Sequence, residues 1–150
     1  MGVKIAKAMG AHVTVFTTSP SKKDDALKLG ADQVILSKSE EEMEKAQSTL
    51  HFILNTVAAP IDLVPYLQCL KRDGTMTLVG LPDKPHPGMH PAELIGKRKS
   101  LAGSVIGGIK ETQEMLDFCG KHNIMSEIEL ISMDRINEAF ERTVAGDVKY

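Results

Sequence analysis

Cysteine is scarce. Cys69 and Cys119 are the only two, and no CxxC pair occurs, which excludes a cysteine-rich zinc module, argues against a disulfide framework and places both thiols in the core. Charge of one sign is lacking too: 18 basic and 20 acidic residues leave a formal charge of -2, without the field that holds nucleic acid or an anionic membrane. The apolar runs fall well short of the ~20 residues that span a bilayer, and the amino terminus lacks the basic, apolar, small-residue order of a secretory leader. A soluble cytoplasmic protein is expected, with no nucleic-acid or membrane partner. Catalytic patterns are thin. No GxSxG elbow occurs, and Tyr66 has Leu70 four positions on and Lys71 one beyond, which misses a Tyr-x-x-x-Lys spacing. Of five histidines only His86 and His90 lie close, and the prolines around them disfavour ligation from one helix. No self-contained catalytic set and no metal site is expected.

What is present is an alternation. With 42% hydrophobic residues in 150 positions the chain suits one domain with a real core. Short β-branched runs at 12–16, 33–36, 52–56, 75–79 and 101–106 alternate with segments of helical period, the pattern of a parallel sheet with helices on both faces. A helix over 22–29 stops at Gly30, and a polar surface helix covers 40–47. Over 61–70, Ile61, Val64, Leu67 and Leu70 share one face, followed by Lys71, Arg72 and Gly74 as a cationic end and a turn. Prolines 82, 85, 87 and 91 mark a loop before a short helix over 91–97. A helix over 111–122, a short apolar run over 128–131 and a last helix near Asp134, with Ser132 as its cap, complete the order.

The chain opens in a helix, Val3, Ile5, Ala6 and Met9 forming a stripe that closes at Gly10. In a doubly wound nucleotide-binding fold a strand precedes that helix, and the turn between them carries the glycine loop that meets a pyrophosphate. Only Gly2 precedes it here. The expectation is a Rossmann-type doubly wound α/β fold that lacks its first strand.

At the end of the second strand of such folds an Asp or Glu holds the adenosine ribose hydroxyls of NAD. Here the 12–16 run leads instead into Thr17, Thr18, Ser19, Pro20, Ser21, Lys22 and Lys23. Hydroxyl donors and two cations suit a 2'-phosphate, so NADPH is the matching cofactor. The same segment also reads as a polar turn in which Ser19 or Ser21 caps the next helix. Asn55-Thr56-Val57 and Val79-Gly80-Leu81 close later strands, where ligands lie in open α/β sheets. Gly80 either admits a ring close to the backbone or simply turns the chain, and Ser104 and Gly107-Gly108 carry the same two readings.

Several segments occur together and in order: MGVKIAKAMGAH at 1–12, TTSPSKK at 17–23, GAD at 30–32, NTV at 55–57, KRDGTMTLVG at 71–80, LAGSVIGG at 101–108, ETQEMLDF at 111–118 and DVKY at 147–150. Over essentially the whole chain this resembles the cinnamyl alcohol dehydrogenase branch of the zinc-dependent medium-chain alcohol dehydrogenases. The resemblance implies reversible reduction of an aldehyde to a primary alcohol with NADP(H), a catalytic zinc polarising the carbonyl. It places Thr17, Thr18, Ser19 and Lys22, with Lys23 as an alternate, at the 2'-phosphate, and Thr56, Val57, Val79, Gly80, Leu81, Ser104 and Ile106 along the ribose and nicotinamide.

It also implies a division into a cofactor-binding domain over 1–125, incomplete at its amino end, and a segment over 126–150 that in relatives returns to a catalytic domain and continues into a closing strand. The zinc ligands and proton relay of relatives lie in sequence that these 150 residues do not match, so no zinc ligand and no catalytic residue is assigned here, and the chain alone is expected to be inactive toward an aldehyde or alcohol substrate. The other reading is a non-enzymatic module that dimerises or senses nucleotide. The last sheet strand, 101–106, is apolar and free of proline and charge, and is expected at an edge where a homodimer forms, the alternative being an edge covered by the 111–122 helix.

Overall fold

The structure is a computed structural model and describes residues 1–148. Helix α1 (Gly2–Ala8) leads to strand β1 (Thr14–Thr17), a 3-10 turn Pro20–Lys22, α2 (Lys23–Lys28), β2 (Gln33–Leu36), α3 (Glu40–Lys45) and β3 (Leu50–Asn55). Then come α4 (Val64–Cys69), β4 (Leu70–Leu78), α5 (Ala92–Ile95), β5 (Ser100–Gly103), α6 (Ile109–Lys121), a second 3-10 turn Met133–Arg135 and α7 (Ile136–Ala145). Every strand pairing is parallel, as helical crossovers require.

The strands form two sheets and not one continuous sheet: β1 pairs with β2, and β3, β4 and β5 pair in that order. Side-chain alternation shows how both faces are covered. Val15 and Val34 are register partners and lie in a small core with Val3 of α1, Ala26 of α2 and Ala31. The next register pair, Phe16 and Ile35, faces the other way into the main core with Met43, Ala46, Leu63, Leu67 and Cys69. Across the second sheet Ile53, Met76 and Leu101 are matched in register and meet that same main core. Helices thus cover both faces of the first sheet, the doubly wound pattern, and one core joins the two sheets although β1 and β3 share no ladder. Phe16 also meets Tyr66 of α4 edge to face, ring centroids 5.2 Å apart.

The GAD run has a clear role. Gly30 sits at φ +105°, a conformation suited to glycine, Ala31 is buried, and the Asp32 carboxylate accepts from Lys7 Nζ at 2.8 Å and from the Val13 N–H at 2.7 Å. The hydrogen bond from Lys7, then that from Val13, hold the Asp32 carboxyl below the usual carboxylate range. Its contribution to stability is therefore present above the unfolded value and fades as pH falls through the depressed one.

Several boundaries differ from the sequence reading. The helix expected over 61–70 covers only Val64–Cys69, because the Asp62 carboxylate takes the Val64 N–H at 2.9 Å and Leu70 already belongs to β4. Leu63 and Cys69 are buried beside Leu67 and Leu70, while Ile61 and Val64 are half-buried. The 40–47 segment is not merely a surface helix, since Met43 and Ala46 are part of the main core. The α1 stripe contributes Val3 to the small core but leaves Met9 exposed. The 101–106 run is in ladder only to Gly103, and the 128–131 run pairs with no strand among the described residues. Ser132 precedes the second 3-10 turn without a side-chain cap.

Both cysteines are buried and free, as the composition indicates. Cys69 Sγ donates to the Pro65 carbonyl at 3.3 Å, and burial raises its thiol pKa, which leaves it a poor nucleophile. No helix among the described residues is long and apolar enough to cross a membrane. Lys149 and Tyr150, the end of the segment expected to continue into a closing strand, lie outside the described residues.

Candidate functional site

Parallel strands bring their carboxyl ends to one edge of each sheet, and the residues nominated from sequence collect there. At the end of β1, Thr17 Oγ1 accepts from the Ser19 N–H at 3.2 Å, and the Ser19 and Ser21 hydroxyls share a hydrogen bond of 2.8 Å. Neither serine caps a backbone N–H of the following helix: Ser19 precedes the 3-10 turn with no side-chain cap, and Lys22 occupies the cap position of α2. The capping reading of these serines is therefore not what the fold uses. Thr18, Ser21 and Lys22 are exposed. Among the described residues Lys22 forms no ion pair, whereas Lys23 Nζ lies 3.6 Å from Glu42 Oε1.

The ends of β3 and β4 are tied together by Asn55, a residue the sequence reading quoted but did not nominate. It is buried, its carbonyl accepts from Val79 N at 3.0 Å and Gly80 N at 3.4 Å, and its Oδ1 accepts from Val57 N at 2.9 Å. One side chain thus fixes the turn through Thr56 and Val57 while its backbone holds the exit of β4. The available signal was a lone polar residue closing the apolar run 52–54.

Gly80 is explained by this arrangement. A Cβ there would lie 2.3 Å from the Val57 carbonyl oxygen, 2.6 Å from its carbon and 3.0 Å from Ala58 N. The missing side chain admits the neighbouring strand's exit loop, a requirement separate from any contact with a ring. Around it Val57 is 44% exposed, Val79 43% and Leu81 90%, an apolar wall facing outward at the strand ends. Thr56 is exposed beside it.

Beyond β5 the residues sort differently. Ser104 N–H still donates to the Leu78 carbonyl at 3.1 Å, so Ser104 stays at the sheet edge, but Val105 and Ile106 leave the ladder and Ile106 is 91% exposed. Gly107 and Gly108 form the entry to α6, where the Glu111 carboxylate takes the Gly108 N–H at 2.8 Å. Helix capping is their role here.

The histidines of the proline loop serve the backbone: His86 Nδ1 accepts from Ile61 N and His90 Nδ1 from Ala92 N, each at 3.2 Å. Among the described residues no three His, Cys, Asp or Glu side chains converge to hold a metal, so no zinc-dependent step is assigned to these residues. Hydroxyls and a lysine without an ion pair among the described residues are, by contrast, donor types that suit a phosphate, and the apolar wall is a surface that suits a planar ring.

Comparison with known proteins agrees with this geometry. Residues 1–121 match the family model described as zinc-binding dehydrogenase. The chain is 57% identical over 150 residues to an aldehyde reductase, YahK, of Escherichia coli, covering all of this chain and 43% of the relative. It superimposes on a cinnamyl alcohol dehydrogenase of Sorghum bicolor with a TM-score of 0.96 at 42% identity, covering 100% of this chain and 42% of the other. A cinnamyl alcohol dehydrogenase of Helicobacter pylori complexed with NADP(H) gives a TM-score of 0.84 at 40% identity, covering 97% of this chain and 41% of the other. The chain thus spans about two fifths of the length of these relatives. Parallel strands wound with helices, together with these matches, lead to one conclusion: the chain belongs to the zinc-binding dehydrogenase family, among the zinc-type medium-chain alcohol and cinnamyl alcohol dehydrogenases.

Proposed function

We propose that this chain holds NADP(H) for the reversible reduction of an aldehyde to a primary alcohol. The observation that carries the reading is the end of β1, where Thr17, Thr18, Ser19 and a Lys22 without an ion pair among the described residues replace the acid that an NAD ribose requires. A phosphate of about two negative charges in that place is matched by charge-assisted donors and would be repelled by a carboxylate. The NADP(H) complex of the H. pylori relative supports the choice of cofactor.

When bound, the cofactor supplies the hydride. The chain's own part is placement: Lys22 and the hydroxyls hold the 2'-phosphate, and Thr56, Val57, Val79, Gly80, Leu81 and Ser104 line the ribose and nicotinamide, with Ile106 beside them. None of these residues is a catalytic acid, base or metal ligand, so residues 1–148 are assigned binding and no turnover of their own. The division at 125/126, with the later segment returning to a catalytic domain, and work in the cytoplasm belong to the same reading. In calorimetric titration the chain is expected to bind NADPH more tightly than NADH. Lys22→Glu should remove a contact of ~1.5 to 3 kcal/mol and with it most of the preference. Equal affinity for the two cofactors would contradict the assignment.

A homodimer through β5 is proposed on edge geometry. β5 is the last strand of its sheet and is largely exposed. Because Ser104 N–H faces β4, alternation turns the N–H groups of Leu101 and Gly103 outward, free to pair with a second copy across a twofold axis. Val105 lies outside the ladder, so the informative change is Gly103→Pro, which deletes an outward N–H and none of the intrachain ladder. Light scattering should give a dimer for the unmodified chain and a monomer for the variant. A dimer that survives Gly103→Pro would place the contact elsewhere.

A further inference from the structure

We propose that Glu42 sets how much positive charge the 17–23 segment presents to a 2'-phosphate, by holding Lys23 back from it. The inference rests on the 2'-phosphate reading above and adds a residue that no motif of that site contains.

Four contacts carry it. Thr17 and Leu36 are register partners in the first sheet, and Ser37 N–H donates to the Thr17 carbonyl at 2.9 Å, so the exit of β2 runs beside the start of the candidate phosphate segment. Glu42, in the first turn of α3, is drawn to that exit: its N–H donates to Ser39 Oγ at 3.3 Å and its Oε2 accepts from the Leu36 N–H at 2.7 Å. Its other oxygen, Oε1, lies 3.6 Å from Lys23 Nζ. The carboxylate is thus anchored to a strand backbone, whereas the lysine is a flexible partner. For Lys23 to reach a phosphate near Thr17 it must leave a fixed negative charge, and that charge stays close to the bound anion. Lys22 carries no such tie among the described residues. The two adjacent lysines are therefore unequal: Lys22 acts directly and Lys23 is held in reserve by Glu42, a positioning residue for charge at the site.

Glu42→Gln is the suitable change, because its amide oxygen still accepts from the Leu36 N–H while the charge that competes for Lys23 is gone. The probes are adenosine 2',5'-bisphosphate and 5'-AMP, titrated into the 150-residue chain and followed by calorimetry or amide chemical shifts, with circular dichroism to confirm the fold of each variant. Glu42→Gln is expected to tighten the bisphosphate about threefold to fivefold, the size of an exposed ion-pair competitor, and to leave 5'-AMP within about twofold. Lys23→Gln is expected to weaken the bisphosphate more in the Glu42→Gln background than in the unmodified one, since only there is the lysine released. Unchanged selectivity in Glu42→Gln, or an equal effect of Lys23→Gln in both backgrounds, overturns the proposal while the 2'-phosphate reading stands. An unmodified chain that binds the two probes equally overturns that reading, and this proposal with it.

Discussion

Gly80→Ala is expected to destabilise the chain by about 3 kcal/mol or more, measured as a loss of unfolding free energy in urea. Overpacking a filled site typically costs ~1 to 3 kcal/mol, because side chains and backbone shift to relieve it. Here the atoms that a new Cβ would meet are backbone atoms, the Val57 carbonyl at 2.3 Å and Ala58 N at 3.0 Å, and they cannot rotate away. They are also pinned. Moving residues 57 and 58 stretches the hydrogen bond from Val57 N to Asn55 Oδ1, and moving residue 80 stretches those from Val79 and Gly80 to the Asn55 carbonyl. Each such bond contributes about 1 kcal/mol, which carries the sum past the ordinary overpacking range. The same displacement deforms the proposed nicotinamide wall, so weaker NADPH binding should accompany any residual fold. A variant within about 1 kcal/mol of the unmodified chain would show that the two exit loops separate readily.

Leu67→Ala should lower stability by ~2 to 5 kcal/mol, the range for a fully buried leucine whose site does not collapse. Leu67 is 0% exposed and shares a core with Ile35 of one sheet and Ile53 and Met76 of the other. Since β1 and β3 share no ladder, this shared core couples the sheets in the described residues. The unmodified chain is therefore expected to unfold in one cooperative transition, with fluorescence-labelled reporters in each sheet giving coincident curves. The Leu67→Ala cavity opens in the core that both sheets share and should lower both curves together. If only the reporter in the three-stranded sheet responded, the first sheet would be held by the small core around Ala26, Ala31 and Val34 instead.

Most of the element order is legible in the residues because it depends on local periodicity. The β-branched runs that place Val34, Ile35, Ile53 and Met76 in strands need only alternate burial, and the Thr17–Lys23 stretch shows its donors without any partner being known. Similarity of ordered motifs extended that to a family, which the matches over residues 1–121 bear out.

The tertiary structure decided the rest, through pairs of residues far apart in the chain. Val105 and Ile106 are as apolar as Leu101, yet the ladder ends near Gly103 because the last acceptor on β4 is the Leu78 carbonyl. Residues 128–131 have a strand's composition and, among the described residues, no strand to pair with. Met43 and Ala46 sit in a glutamate-rich helix and become core only because Leu63 and Leu67 stand opposite. Gly80 is required by the backbone of residues 57 and 58, and the inequality of Lys22 and Lys23 by Glu42. A sequence by itself determines which faces of its segments are apolar and where its donors lie, because those are properties of neighbours along the chain. Which faces meet, and which charge lies beside which, is settled only when loop closure brings distant residues into contact.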